Sequence, residues 1–355
     1  GMGLNAFFTY TLVLNNGMQW QTALGVVFLS SLVFVILTLT GVRDKIIKDI
    51  PYTIRVATSA GIGGFIAFIG FKNMGFVVDN PATLVGFGKG SSELYIGLLG
   101  LFIIIVFDIK KWLGGMLIAI VATTLLAIAL GIQAAPSRIV SLPPSIAPLF
   151  MKLDIMGALQ WALIGPIFSF MFVDLFDSIG TILACSSNAG MVNEKDQSIP
   201  KASRILQADA WASMVGSVLG TSTTTTFIES ASGISAGART GLAATIVALC
   251  FGLSMFFAPI IGVVPGYVTA PALVYVGILM FRSVKDINLQ SIDELVPTFF
   301  TIVLMPLTFS ISMGLSFGFV FYTLIKMLKG KYSELNITMY LITVLSLVNI
   351  VYSLS

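Results

Sequence analysis

Three acids, an amide and a run of threonines stand out in an otherwise apolar chain. Asp174 and Asp177 lie within one long apolar run, and Glu229 sits inside the stretch GTSTTTTFIESASG from Gly220 to Gly233. A spacing of three places the two aspartates on one helical face. An ionised side chain at mid-membrane costs at least about 2.5–3.5 kcal/mol, so each asks for a reason. Two adjacent carboxylates that cannot both be charged cheaply can share a proton, which makes Asp174 and Asp177 a candidate proton-coupling pair. The plainer reading is a pair hydrogen-bonded to Ser178, Thr181 and neighbouring backbone. Four consecutive threonines, Thr223 to Thr226, favour extended or irregular backbone because β-branching restricts χ1. Thr226 and Glu229 have capping-box spacing, which opens a short helix at Glu229. Free N–H donors at that helix start and a glutamate acceptor together offer both kinds of partner to a polar ligand. Asn5, in the opening GMGLNAFF, is an amide of the kind that bonds a neighbouring helix. Asp209, near the start of its own apolar run, reads as paired with a loop cation such as Arg204.

The composition bounds the chemistry. The chain has 355 residues, is 57% hydrophobic and only 10% charged, and has a mean hydropathy of +0.99, which places it among polytopic membrane proteins. Its net charge is +3 and its Lys and Arg lie in the connections, so nucleic acid is not an expected partner. There is no histidine, which removes His-activated nucleophiles. With Cys185 and Cys250 as the two cysteines, no structural zinc site is expected and a disulfide is not favoured. No cofactor is implied. Proton chemistry falls to carboxylates. The deep segments carry acids and an amide but no deep Lys or Arg, which suits a cation or a neutral solute rich in N–H donors better than an anion.

The elements that must hold these residues are apolar helices. Residues 1–16 read as a half-span, and spans follow at about 20–40, 53–71, 93–108 and 113–131. Polar outer loops are expected at about 72–92 and 132–156. The second half reads as spans at about 157–184, 205–220, 240–262, 265–281, 293–310 and 311–328, with a further apolar run at about 337–353 whose placement stays open. Basic residues gather at 43–55, 110–111, 195–204, 239, 282–285 and 326–331, on every second connection, which puts those connections in the cytoplasm. A weak internal repeat relates residues 50–72 to 264–282, and the start QTALGVVF after Asn5 to RTGLAATI after Glu229. The two copies of the first pair begin on opposite sides, as an inverted repeat requires.

The runs FVDLFDSIGT (172–181) and QADAWASMVGSVLGTSTTTTFIESASGISAGARTGL (207–242), with the opening GMGLNAFF, resemble the adenine/guanine/hypoxanthine permeases. These form the AzgA-like branch of the nucleobase–cation symporters, within the xanthine-uracil permease superfamily. The resemblance covers essentially the whole chain. It implies an all-α fold of inverted seven-segment repeats, with two short strands and half-helices meeting at mid-membrane. It also implies a core domain that holds a purine and a gate domain that moves against it. On that pattern residues 1–50 and 155–263 belong to the core, 51–135 and 264–330 to the gate, and 331–355 to a tail with an extra apolar segment. The family's first two segments are expected to be missing. The resemblance further assigns Asn5, Asp174, Asp177, Glu229 and Thr226 to the substrate site.

The expected function is that of a plasma-membrane secondary transporter importing adenine, guanine or hypoxanthine, and not of an enzyme. A proton is the expected coupling ion and sodium the alternative. Homodimers are frequent in the family. A channel or exchanger of the same architecture is the competing reading. An intramembrane aspartyl protease would place its two aspartates on separate helices, whereas here they share one.

Overall fold

The computed structural model describes residues 4–5, 7–15, 17–41, 49–112, 114–191, 199, 201–227 and 230–354. It is mostly helical, as suits a chain whose backbone groups must pair internally in lipid. A π-type helical segment, Phe7–Asn15, precedes α1 (Trp20–Leu39) and α2 (Tyr52–Asn73). A two-stranded hairpin, β1 (Val77–Asn80) and β2 (Leu84–Phe87), separates α2 from α3 (Ser92–Ile109) and α4 (Gly115–Ala129). The short α5 (Ile155–Ala158) leads to α6 (Ile164–Asn188), α7 (Ala202–Leu219) and the single-turn α8 (Ser230–Ser235). Next come α9 (Gly241–Ser254), extended by a 3-10 turn and α10 (Ala258–Ile261), then α11 (Gly266–Phe281), α12 (Ile292–Leu307), α13 (Ile311–Leu328) and α14 (Ile337–Leu354).

Among the described residues five helices are long and apolar enough to cross a membrane: α1, α2, α3, α13 and the run Gly241–Ile261. Shorter apolar helices lie at Gly115–Ala129, Gly266–Phe281 and Ile337–Val351. This is a multi-pass membrane protein, and most of its helices fall within a few residues of the apolar runs, but the run expected at about 157–184 becomes a continuous α-helix only from Ile164. The two repeat-related starts differ in surroundings. The window in α1 is 56% buried within the chain, whereas that in Gly241–Ile261 is 0% buried.

One finding departs from the sequence-based expectation. The loop at about 72–92 is not merely polar, because it folds into the β1–β2 hairpin. The threonine stretch is irregular, as its residue types lead one to expect, and residues 221–227 run without a ladder. Side chains supply the hydrogen bonds that a strand partner would have given, as set out below.

By compactness the chain divides into two units. The first comprises 1–62, 146–239 and 281–355, and the second 63–145 and 240–280. In the first unit α1 packs against α5, α6 and α7. Gly25 makes the α5 contact, since a Cβ there would stand 2.2 Å from the Asp154 carbonyl oxygen. Asp154 itself caps α5, its Oδ1 accepting from Gly157 N–H at 2.8 Å. Within the same unit α12 and α13 pack closely because Gly314 and Gly318 leave room for Met305 and Thr301. The run at 337–353 is α14, packed on α13 through Thr343 to Thr323 (2.7 Å) and Asn349 Nδ2 to Ser316 Oγ (3.1 Å).

In the second unit α3 packs on α4. Ser91 caps α3 by accepting Leu94 N–H at 3.2 Å, and Glu93 in its first turn suits the positive end of the helix.

Candidate functional site

The geometry is set by the end of α7. Gly220 adopts φ +96°, which favours glycine, and the chain closes as a Schellman motif. Thr221 N–H donates to the Gly216 carbonyl at 3.0 Å and Gly220 N–H to that of Ser217 at 3.2 Å. A Cβ on Gly220 would meet Leu149 at 2.5 Å, so glycine is required twice over. The threonine stretch leaves from this turn and runs back along α7. At its far end α8 is closed by Gly237 (φ +109°), with Arg239 donating to the carbonyls of Ile234 (2.6 Å) and Ala238 (2.8 Å).

One face of α7 carries Asp209, Ser213, Gly216 and Ser217, all buried. Ser213 Oγ donates to the Thr224 carbonyl at 2.7 Å, and Thr226 N–H donates to Asp209 Oδ1 at 3.1 Å. A carboxylate and a hydroxyl one turn apart thus satisfy an acceptor and a donor two residues apart on the stretch. That is the alternation a strand edge would present. Gly216 lets the backbones approach, since a Cβ there would lie 2.7 Å from Thr224 Oγ1.

The other flank is α6, where Asp174, Ser178 and Thr181 share one face and are 1%, 0% and 5% exposed. Ser178 Oγ donates to Asp209 Oδ2 at 2.5 Å and lies 3.0 Å from Thr225 Oγ1. It therefore ties α6, α7 and the threonine stretch together. Cys185, further along α6, points its thiol at the Phe227 carbonyl at 3.9 Å. The Thr223 and Thr226 hydroxyls are buried and have no hydrogen-bond partner among the described residues. A buried unsatisfied hydroxyl is costly and is a natural point of ligand contact.

The sequence-predicted residues fall as follows. Asn5 reaches the site, its Oδ1 accepting a short hydrogen bond from Ser222 Oγ. Thr226 lies in it, and Asp174 is buried one turn before Ser178 on α6. Asp177 belongs to α6, but its side chain is outside the described residues, as is Glu229.

Asp209 requires a correction. It does not sit at a span boundary awaiting Arg204; it is 5% exposed and holds Ser178 and the Thr226 backbone. These two partners, a hydroxyl and a backbone N–H, are neutral donors. The signal was in the sequence, where Asp209, Ser213 and Gly216 recur at helical spacing as a polar and small-residue stripe. Among the described residues no group of three or more Cys, Asp or Glu gathers as a metal site would require.

Comparisons with known proteins agree with this architecture. The profile of the Permease family (Xan_ur_permease) matches residues 1–317. The chain is 41% identical to adenine permease AdeP of Escherichia coli over 352 residues, covering 99% of this chain and 79% of that one. It is 39% identical to guanine/hypoxanthine permease PbuG of Bacillus subtilis over 345 residues, 96% of this chain and 78% of that one. Among solved structures, the transmembrane domain of the cyanobacterial bicarbonate transporter BicA superposes with a TM-score of 0.66 at 17% identity. That match covers 89% of this chain and 81% of BicA's.

Proposed function

This chain is a member of the Permease family, and from that premise we propose that it is a secondary active transporter importing purine nucleobases by proton symport. The observation that carries the reading is the identity of about two residues in five, over nearly the whole chain, to permeases named for adenine and for guanine/hypoxanthine. The fold by itself does not choose a substrate, since a bicarbonate transporter shares it. The local chemistry favours a donor-rich neutral base over an anion. The described groups around the threonine stretch are carboxylates, hydroxyls and backbone groups, with Asp174 and Asp209 both buried.

In this reading the purine presents its N–H edges to Glu229 and to Asp177, and Asn5 and the threonine stretch complete the polar contacts. The bond between Ser222 and Asn5 supports that grouping because it joins the two expected halves of the site. A proton on the Asp174/Asp177 pair lowers the charge cost of moving the loaded site between access states. The gate elements, residues 51–135 and 264–330, rock against the core of 1–50 and 155–263, exposing the site to each side in turn.

The test is uptake of radiolabelled adenine, guanine and hypoxanthine by proteoliposomes under an imposed inward proton gradient. Saturable uptake that follows the pH gradient and persists when sodium is replaced by choline is the expected result. Uptake that needs sodium would replace the coupling ion, and absence of saturable purine flux would overturn the substrate. The substitution Glu229→Gln is expected to abolish recognition; unchanged hypoxanthine uptake would remove Glu229 from that role.

A further inference from the structure

The β1–β2 hairpin is a rigid apolar projection with both faces uncovered. Its register pairs Val77 with Phe87, Val78 with Gly86, Asp79 with Val85 and Asn80 with Leu84. Side chains alternate across a hairpin, so Val77, Asp79, Val85 and Phe87 share one face, and Val78, Asn80 and Leu84 the other. Exposure is 71% at Phe87 and 47% at Val85 on the first face, and 82% at Leu84 and 39% at Val78 on the second.

The base of the hairpin is fixed to the end of α2. Phe76 lies 5.2 Å from the Phe71 ring and 5.0 Å, edge-on, from the Phe87 ring. Gly88 N–H donates to the Phe76 carbonyl at 3.0 Å, and a Cβ on Gly88 would stand 1.8 Å from the Gly75 carbonyl oxygen.

Three features identify what covers it. First, the tethers are short: Asn73 ends α2 just before β1, and Ser92 opens α3 just after β2. Strands of four residues extend only about 13 Å from that base, so the hairpin stays at the membrane boundary. Second, its tip satisfies its own polar groups. Ala82 N–H donates to Asn80 Oδ1 at 2.9 Å, Thr83 N–H to the Asn80 carbonyl at 3.3 Å, and Thr83 Oγ1 to the Val85 carbonyl at 2.8 Å. Each of these bonds pairs a polar group that would otherwise need water, which lowers the cost of seating the tip against lipid. Third, the apolar surface continues onto α3, where Tyr95, Leu99 and Phe102 share a face and are 64%, 41% and 64% exposed. Tyr95, at the helix start, packs on Gly90 and suits an interfacial belt. Asp79 is the one charged residue between Phe76 and Gly88.

We propose that the hairpin is an interfacial anchor, seated in the headgroup–acyl boundary of the outer leaflet, with lipid as its partner. The side is set by the basic connection at 43–55, which places the start of α2 in the cytoplasm and its end outside. This inference rests on the family's membrane topology and not on the purine assignment, so either can fail alone.

The test is nitroxide labelling of Leu84→Cys and, separately, Phe87→Cys in a Cys185→Ser/Cys250→Ser background. The full chain is reconstituted in liposomes, and Lys89→Cys, replacing the exposed cation that follows β2, serves as the reference. Collision rates with oxygen and with a water-soluble nickel chelate read the depth. The anchor predicts several-fold higher oxygen-to-nickel ratios at positions 84 and 87 than at 89. Ratios equal to the reference would overturn it, as would labels shielded from both reagents with dipolar broadening, which would show a second copy as the occupant. The two positions lie on opposite faces, so a variant that fails to fold leaves the other to decide.

Discussion

Two buried aspartates of the first compact unit are partnered in opposite ways. Asp209 meets a serine hydroxyl and a backbone N–H. Asp293, at the start of α12, meets three lysines: Lys326 at 3.1 Å, Lys329 at 2.9 Å and Lys331 at 3.3 Å, together with a short hydrogen bond from Ser291. Lys326 is itself buried and also holds Glu334 at 2.5 Å. Around Asp293 the charge is more than neutralised, and the partners come from the end of α13 and the turn before α14. That is a brace, tying the C-terminal segment to the α12–α13 pair. Around Asp209 the donors are a hydroxyl and a backbone N–H, and the backbone of the threonine stretch is held in register beside it. Depth of burial does not separate the two regions, because both carboxylates are almost fully enclosed. The identity of the donors does.

The largest expected effect breaks the brace. Asp293→Ala would leave Lys326 buried beside two further lysines, with Glu334 its one remaining carboxylate among the described residues, and removing one partner of a buried ion pair costs about 3–5 kcal/mol. The melting temperature of the detergent-purified protein should fall steeply and yield should drop. A melting temperature close to wild type would show that solvent already neutralises the lysines.

Next comes Asp209→Asn, which keeps shape and removes one of the two acceptors that hold Ser178 and the Thr226 backbone. A hydrogen bond to a charged group contributes about 1.5–3 kcal/mol, so thermal stability should fall by less than in Asp293→Ala, and purine KM should rise as the threonine stretch loses its register. An unchanged KM with reduced stability would make Asp209 a brace like Asp293.

Two glycines sharpen the contrast at smaller cost. An alanine Cβ at Gly318 would fall 2.0 Å from Thr301 Oγ1, and one at Gly216 2.7 Å from Thr224 Oγ1. Overpacking of this kind costs about 1–3 kcal/mol. Gly318→Ala should show that loss in thermal stability, and Gly216→Ala chiefly in transport, by shifting the threonine stretch.

The smallest effect is electrostatic. The hydrogen bond from Lys326, with Lys331 nearby, holds the Glu334 carboxyl below the usual carboxylate range despite some desolvation. A depressed folded-state value means stability that is present above the unfolded value and lost as pH falls through the folded one. The wild-type melting temperature should therefore decline on acidification below about pH 4.5. Glu334→Gln should flatten part of that decline, modestly, because the side chain is 45% exposed and screened.

Much of the architecture was legible in the sequence, because length and apolarity define a spanning helix. The runs at about 20–40 and 311–328 became α1 and α13 almost residue for residue. The four threonines announced irregular backbone correctly. What they could not reveal was its partner, since the bonds from Ser213 and to Asp209 join segments brought together by the Schellman turn at Gly220. Asp209 was misread because a nearby arginine in the sequence outweighed the helical stripe it shares with Ser213 and Gly216. The hairpin was missed for a related reason. Asn80-Pro81 is a turn signal between two short apolar runs, but a polar outer loop was the simpler description of the interval. The docking of α14 depends on Thr343 and Asn349 meeting α13, a contact between side chains that no hydropathy pattern encodes.

The most direct measurement is the shift in melting temperature produced by saturating hypoxanthine or adenine, compared across wild type, Asp209→Asn and Asp293→Asn. Binding to the native state stabilises it in proportion to RT ln(1 + [L]/Kd). Asp209→Asn should melt below wild type, by less than Asp293→Asn, and lose most of the purine-induced shift. Asp293→Asn should melt well below wild type and keep that shift in full. Purine shifts that survive in Asp209→Asn, or that vanish in Asp293→Asn, would contradict the proposal that Asp209 keeps the threonine stretch in its binding register while Asp293 braces the C-terminal segment.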